Sequence, residues 1–157
     1  MRHTISVLVE NKFGVLARVA GLFSARGYNI ASLAVSETLT PDISYMTIVV
    51  EAKDERVLEQ IKKQLNKLID VISVTDFTKK EHLDRELVLV KVRYGAKEKT
   101  KLESIAKKFS ATVVKCKADC LIIQAVGDQL QIKGLLEALG HYTIQELIRT
   151  GRIALTY

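Results

Sequence analysis

Residues 10–19, ENKFGVLARV, hold the most informative constellation in this chain for recognising a small charged molecule. Asn11, Gly14 and the expected free amides of Val15 and Leu16 fall together at the start of a helix. The first amides of a helix have no intrahelical acceptor and carry the positive end of its dipole, which suits a carboxylate, and glycine lets a ligand come close to the backbone. Asn11 carries both a donor and an acceptor, as recognition of an amino acid's carboxylate and ammonium together requires. Asn29, at the start of the next strand, is placed to approach the same site from a neighbouring subunit. On residue types alone, a plainer reading is the stronger one: Asn11 and Gly14 are ordinary turn formers and Asn29 is a strand-start residue.

No catalytic machinery stands out. His3, His82 and His141 are scattered and next to no obvious partner, so no dyad or triad is expected. Cys116 and Cys120 are too few for a disulfide framework, and a zinc site needs two further ligands nearby. GYNIAS and FGVLARVAG are not phosphate-binding GxGxxG loops. The expectation is a chain without active-site chemistry, metal or cofactor.

Hydrophobic periodicity gives the elements that position these residues. TISVLV (4–9) alternates as a strand, and VLARVAGLFSAR is a helix with Val15, Leu16, Val19, Leu22 and Phe23 on one face and Gly27 as its left-handed cap. Strands around 28–38 and 43–52 flank Pro41. Asp54 then caps a helix whose stripe is Val57, Leu58, Ile61, Leu65 and Leu68, and 70–77 returns to strand. The order strand, helix, strand, strand, helix, strand is the ferredoxin-like βαββαβ arrangement. After polar residues 78–84, read as a linker, the order recurs. Strand 87–93, helix 97–109, strand 111–115, strand 120–126 and helix 129–139 are followed by a last stretch, TIQELIRTGRIALTY, that fits one long strand or a bent or hairpin ending. The fold class is therefore α+β: two tandem ferredoxin-like domains, 1–77 and 85–157.

Nine basic residues balance nine acidic ones up to Asp76, whereas fifteen face nine from Phe77 onward, so the whole formal excess of +6 lies in the second half. A basic half faces an acidic partner or is simply a solvated lysine-rich surface. Nucleic acid is disfavoured, because LVLVKVRY and CLIIQAV are aliphatic where an RNA-binding sheet presents stacking aromatics. No apolar run approaches a membrane span and the N-terminus lacks the apolar stretch of a signal peptide, so a cytoplasmic protein is expected. Small ferredoxin-like domains are marginal alone and leave sheet edges open, which predicts a homodimer or a higher homo-oligomer.

The strings RHTISVLVEN, GVLARVAGLF, RGYNIASL, MTIVV and EQIKKQLNKLIDV closely resemble the small regulatory subunit of acetolactate synthase, whose N-terminal half is an amino-acid-binding ACT domain. DRELVLVKV and IQELIRTGRIAL resemble that family's C-terminal domain, so the resemblance covers most of the chain. It implies a non-catalytic partner of a large catalytic subunit that holds thiamine diphosphate, magnesium and FAD. The small subunit raises that enzyme's activity and confers feedback inhibition by valine in branched-chain amino-acid biosynthesis. It further implies valine at the interface of two ACT domains, contacted by Asn11, Gly14, Val15 and Leu16 of one chain and by Asn29 and Ile30 of the other. Tyr45 departs from the family pattern, in which an arginine is common before MT. The alternative is an ACT regulator of a different enzyme.

Overall fold

Ile5, Val7 and Val9 alternate with Thr4, Ser6 and Leu8, so an extended chain turns one apolar row toward a core. In the computed structural model these residues lie in β1 (Arg2–Glu10), and all three of the apolar row are fully buried. The structure describes residues 2–95, 97–117 and 119–157, with side chains left out at 115–117. The chain forms two units by its internal contacts, Met1–Leu83 with Arg152–Tyr157, and Asp84–Gly151.

In the first unit β1 leads through a tight loop to α1 (Val15–Ala25), then to β2 (Asn29–Glu37) and β3 (Ile43–Glu51). α2 (Glu55–Leu65) and β4 (Val71–Asp76) follow, and the antiparallel sheet runs β2-β3-β1-β4. Both helices pack on one face. Val15, Val19 and Phe23 of α1 and Leu58, Ile61 and Leu65 of α2 meet the inward rows of β1 and β3 in one core. Leu16, expected on that apolar face, is instead 44% exposed, because the buried stripe follows 15, 19 and 23 and turns residue 16 outward. Asp54 caps α2 as expected, its carboxylate accepting from the Val57 N–H at 3.0 Å. Gly27 ends α1 at φ 66°, the left-handed conformation that glycine adopts without a Cβ penalty.

The other face of this sheet carries small residues. Register places Ser32, Val49 and Thr4 in one row and Ala34, Thr47 and Ser6 in the next. Thr4, Ser6, Thr47 and Val49 are buried, and residues 152–157 supply contacts there. The Arg152 N–H donates to Ser32 Oγ at 3.1 Å, its guanidinium to Thr4 Oγ1 at 2.9 Å, and the Tyr45 hydroxyl to the Ala154 carbonyl at 3.1 Å.

The second unit repeats the pattern with β5 (His82–Arg93, its first two residues in the first unit), α3 (Lys99–Lys108), β6 (Thr112–Lys117), β7 (Cys120–Gly127), α4 (Gln129–Leu139) and β8 (Thr143–Arg149). Its sheet runs β6-β7-β5-β8, the same order element for element. Val88, Val90 and Val92 meet Leu102, Ile132, Leu135 and Leu139 in its core. Asp128 and Gln131 form a reciprocal capping box at the start of α4. One boundary differs from the sequence reading: β5 already begins at His82 inside the polar stretch 78–84. Of the endings the sequence allowed, the C-terminal stretch takes the bent one. It breaks after β8, passes Gly151 at φ 80°, and resumes as β9 (Ile153–Thr156) in the first unit, held there by the Arg152 and Ala154 hydrogen bonds.

Candidate functional site

The loop between β1 and α1 is shaped by one glycine and one asparagine. Gly14 sits at φ 80°, ψ −4° as the residue before α1, and no side chain caps the helix. The Asn11 N–H donates to the Asp42 carbonyl at 2.7 Å and its side-chain amide to the Pro41 carbonyl at 2.8 Å, tying this loop to the β2–β3 turn. That leaves the Asn11 side-chain oxygen as an acceptor. The Val15 N–H, expected to be free, donates to the Lys12 carbonyl at 3.3 Å. The next amides, Leu16 and Ala17, lie in the first turn, where no intrahelical acceptor exists. The unpaired amides at the start of α1 therefore lie one residue further along than the sequence reading places them.

Arg18, which sequence reasoning passed over, borders this loop. Its guanidinium lies 3.1 Å from where a Cβ on Gly14 would stand, and its Nε donates to Asp70 Oδ2 at 2.7 Å. The spacing was a usable signal, since residues four apart on a helix lie one above the other and GVLAR puts an arginine over the glycine. The Lys12 ammonium pairs with Glu10, and that hydrogen bond raises its pKa. No acidic residue occupies the first turn of α1, so the exposed helix end keeps its positive character.

Asn29 and Ile30 lie elsewhere. Asn29 pairs with Glu51 and Glu51 with Arg2, at the start of β1, whereas Glu10, at its end, pairs with Ile43 beside the Asn11 loop. Eight residue steps along β1 separate the two ends, about 26 Å at the rise of an extended strand. One chain does not bring Asn11 and Asn29 together. Asn29 donates its side-chain amide to Glu51 Oε2 at 3.3 Å, and Arg2 reaches the same carboxylate at 3.2 Å. These bonds, the one from Asn29 first, lower the pKa of Glu51 from its ordinary 4.5. Ile30 is half-buried and packs against the core.

The histidines lie in three places. His3 is buried with Nδ1 3.1 Å from Thr78 Oγ1, His82 meets Phe77 in a tilted ring contact with centroids 5.0 Å apart, and His141 is exposed in the second unit. Cys120 is a half-buried free thiol, and the Cys116 side chain lies outside the described residues. Among the described residues no three His, Cys, Asp or Glu side chains form a metal-holding group, and no helix is long and apolar enough to cross a membrane.

Comparison with known proteins gives the context of this geometry. Residues 5–73 match the family described as AHAS small subunit-like ACT domain, and residues 85–157 match that described as small subunit of acetolactate synthase. A probable acetolactate synthase small subunit of Archaeoglobus fulgidus is 46% identical over 155 residues, covering 99% of this chain and 96% of its own. The acetolactate synthase small subunit of Bacillus subtilis is 42% identical over 154 residues, covering 98% and 90%. The crystal structure of the acetolactate synthase small subunit from Thermotoga maritima superposes with a TM-score of 0.90 at 33% identity, covering 100% of this chain and 98% of that one. Both halves of the sequence, and the fold they form, agree: this chain belongs to the acetolactate synthase small-subunit family.

Proposed function

We propose that this protein is the regulatory subunit of an acetolactate synthase, that it raises the activity of a thiamine-diphosphate-dependent catalytic subunit, and that valine inhibits the enzyme through it. The observation that carries the effector site is the wide separation of Asn11 and Asn29 on one sheet, combined with an open β2 edge. If two copies pair antiparallel along β2 about a two-fold axis, the Asn29 end of one strand comes to the Glu37 end of the other. Glu37 pairs with Ser44, next to the Ile43 that faces Glu10, so Asn29 and Ile30 of one copy then arrive at the end where Asn11, Gly14, Val15 and Leu16 of the other stand. Pairing also covers an edge strand that otherwise templates aggregation.

In this site the effector's carboxylate meets the α1 amides of Leu16 and Ala17, with Arg18 beside them. Its ammonium meets the side-chain oxygens of Asn11 and of the partner copy's Asn29, whose amide nitrogens are already engaged by Pro41 and Glu51. The catalytic partner supplies thiamine diphosphate, magnesium and FAD; this chain supplies binding and coupling. Linkage makes that coupling reciprocal, so the catalytic subunit changes valine affinity by the same factor that valine changes subunit affinity, typically about 5–150-fold. The lysines of α3, exposed at 99, 101, 107 and 108, give the second unit a basic surface whose contribution to association weakens as salt rises.

Isothermal titration of the purified protein with valine, leucine, isoleucine and glycine tests the sensor. Acetolactate formation by the catalytic subunit, with and without this chain, tests the activation. Saturable valine binding with glycine silent, together with a rate increase that valine reverses, supports the reading. A rate unaffected by this chain rejects it.

A further inference from the structure

Because the second unit repeats the first element for element, the end of β5 and the start of α3 form the same kind of corner as the end of β1 and the start of α1. The two corners are held alike. The Tyr94 N–H donates to the carbonyl of Asp119, the residue just before β7, at 3.0 Å, as the Asn11 N–H does to that of Asp42, just before β3. In the second unit this corner opens into a cleft of about 340 Å³, at the lower end of the range for small-molecule sites. Tyr94 and Tyr142 form its apolar wall; both are half-buried and pack against the second core. Arg93, Glu98 and His141 also line it, and its charges do not cancel one another. The Arg93 guanidinium reaches Asp119 at 3.3 Å, in a pair whose side chains are both 60% exposed and which therefore binds weakly in water. Glu98 accepts the Gly95 N–H at 2.7 Å through Oε2, which fixes the carboxylate and leaves acceptor capacity on Oε1. Among the described residues no ion pair joins Arg93 to Glu98. Mixed charge on a convex loop is ordinary solvated surface, whereas here a cation and an anion are kept apart in one concavity beside two rings.

We propose that this cleft binds a free α-amino acid with an apolar side chain. The ligand's carboxylate meets the Arg93 guanidinium, which bonds carboxylates in a two-pronged geometry, and an N–H of the His141 imidazole. Its ammonium meets Glu98, and its side chain lies against Tyr94 and Tyr142. One fixed charge of each sign sets the class: Glu98 repels a second negative charge on the ligand, so phosphates and dicarboxylates are poor occupants. A keto acid offers Glu98 no donor, and an amino-acid amide offers Arg93 no charge. The site is complete within one copy of the chain. It goes beyond the regulatory-subunit reading and depends neither on that reading nor on pairing along β2.

The test uses the full chain, titrated with leucine and with phenylalanine, while the backbone amide signals of 93–95 and 141–143 are followed by NMR. Leucinamide and the keto acid of leucine are the controls. The variants are Arg93→Gln, which breaks only an exposed pair, and Glu98→Gln, whose side-chain oxygen still accepts the Gly95 N–H, so both keep the fold. Saturable shifts of these signals with at least one of the two amino acids are expected. Each substitution is expected to weaken that binding about tenfold or more, as is removal of either charge from the ligand. Absence of shifts with both amino acids at millimolar concentration overturns the proposal. So does wild-type affinity in both variants, or binding of leucinamide or the keto acid as tight as that of leucine. Signals at 11–16 report the first-unit site in the same spectra. Their failure to respond to valine counts against the effector reading and leaves this proposal untouched.

Discussion

Asn29 and Glu51 face each other across β2 and β3, and the side-chain amide of the asparagine donates to the carboxylate at 3.3 Å. Glu51 thereby fixes which end of the Asn29 amide points away from its own sheet. Its pKa lies below the ordinary 4.5 because Asn29 and Arg2 donate to the ionised form. A depressed carboxylate contributes above its unfolded pKa and loses that contribution as pH falls through the folded one. Valine affinity is therefore expected to be flat, as far as this contact sets it, from about pH 8 to about pH 5, and to fall only below the ordinary carboxylate range. Calorimetry across that series checks it; a loss already complete near pH 6 assigns the titration to another group.

Replacing Asn29 with histidine removes the amide that bonds Glu51 and the side-chain oxygen proposed to accept from the effector's ammonium. Valine inhibition is expected to disappear while activation of the catalytic subunit persists. Unchanged valine sensitivity in the reconstituted enzyme rejects Asn29 as part of the site.

Gly14→Asp brings a carboxylate to the position proposed for the effector's own carboxylate, and does so at φ 80°. The left-handed backbone costs a non-glycine residue about 1–2 kcal/mol, with aspartate among the more tolerant residues. A folded protein with a slightly lower urea midpoint and no valine binding is expected. Gly14→Ala separates the two effects: its backbone cost is of the same order, but it adds no charge, so it retains measurable binding.

Deletion of residues 152–157 removes at least three hydrogen bonds from the first unit, those made to Ser32, Thr4 and Tyr45. At roughly 1 kcal/mol net for each of these bonds, the first unit loses about 3 kcal/mol or more. Hydrogen exchange of the β1 and β3 amides across a urea series measures it, and an unshifted midpoint contradicts the role given to this segment.

Asp128→Ala breaks the capping box of α4, in which Asp128 accepts from the Gln131 N–H at 2.8 Å and Gln131 accepts from the Asp128 N–H at 3.0 Å. A loss of about 1 kcal/mol, confined to the second unit, is expected in hydrogen exchange of α4 amides.

The two βαββαβ repeats were legible because their strands and helices obey clean periods and, in the first, carry strong punctuation at Gly27, Pro41 and Asp54. Leu16 was misjudged because four nearly contiguous apolar residues fit more than one helical face, and only packing against β1 and β3 selects 15, 19 and 23. Arg18 escaped notice because a single arginine on a helix reads as solvated surface; its closeness to Asp70 depends on β4 returning beside the loop. The path of residues 152–157 was hidden for a different reason. IALT has the composition of any strand, and its partners Thr4, Ser32 and Tyr45 lie more than a hundred residues away in sequence.

Residues 84–151 are an insertion between two parts of the first unit, and this sets an order of events during synthesis. A ribosome that has delivered the helices and first sheet must translate the whole insertion before Arg152 and Ala154 emerge, a delay of roughly 3–14 s at about 5–20 residues per second. Through that interval the nascent first unit has a closed helix-side core but lacks the bonds that Arg152 and Ala154 make to Thr4, Ser32 and Tyr45. Two chains on one polysome can meet in that state, so β9 also decides when the first unit is safe from its neighbours.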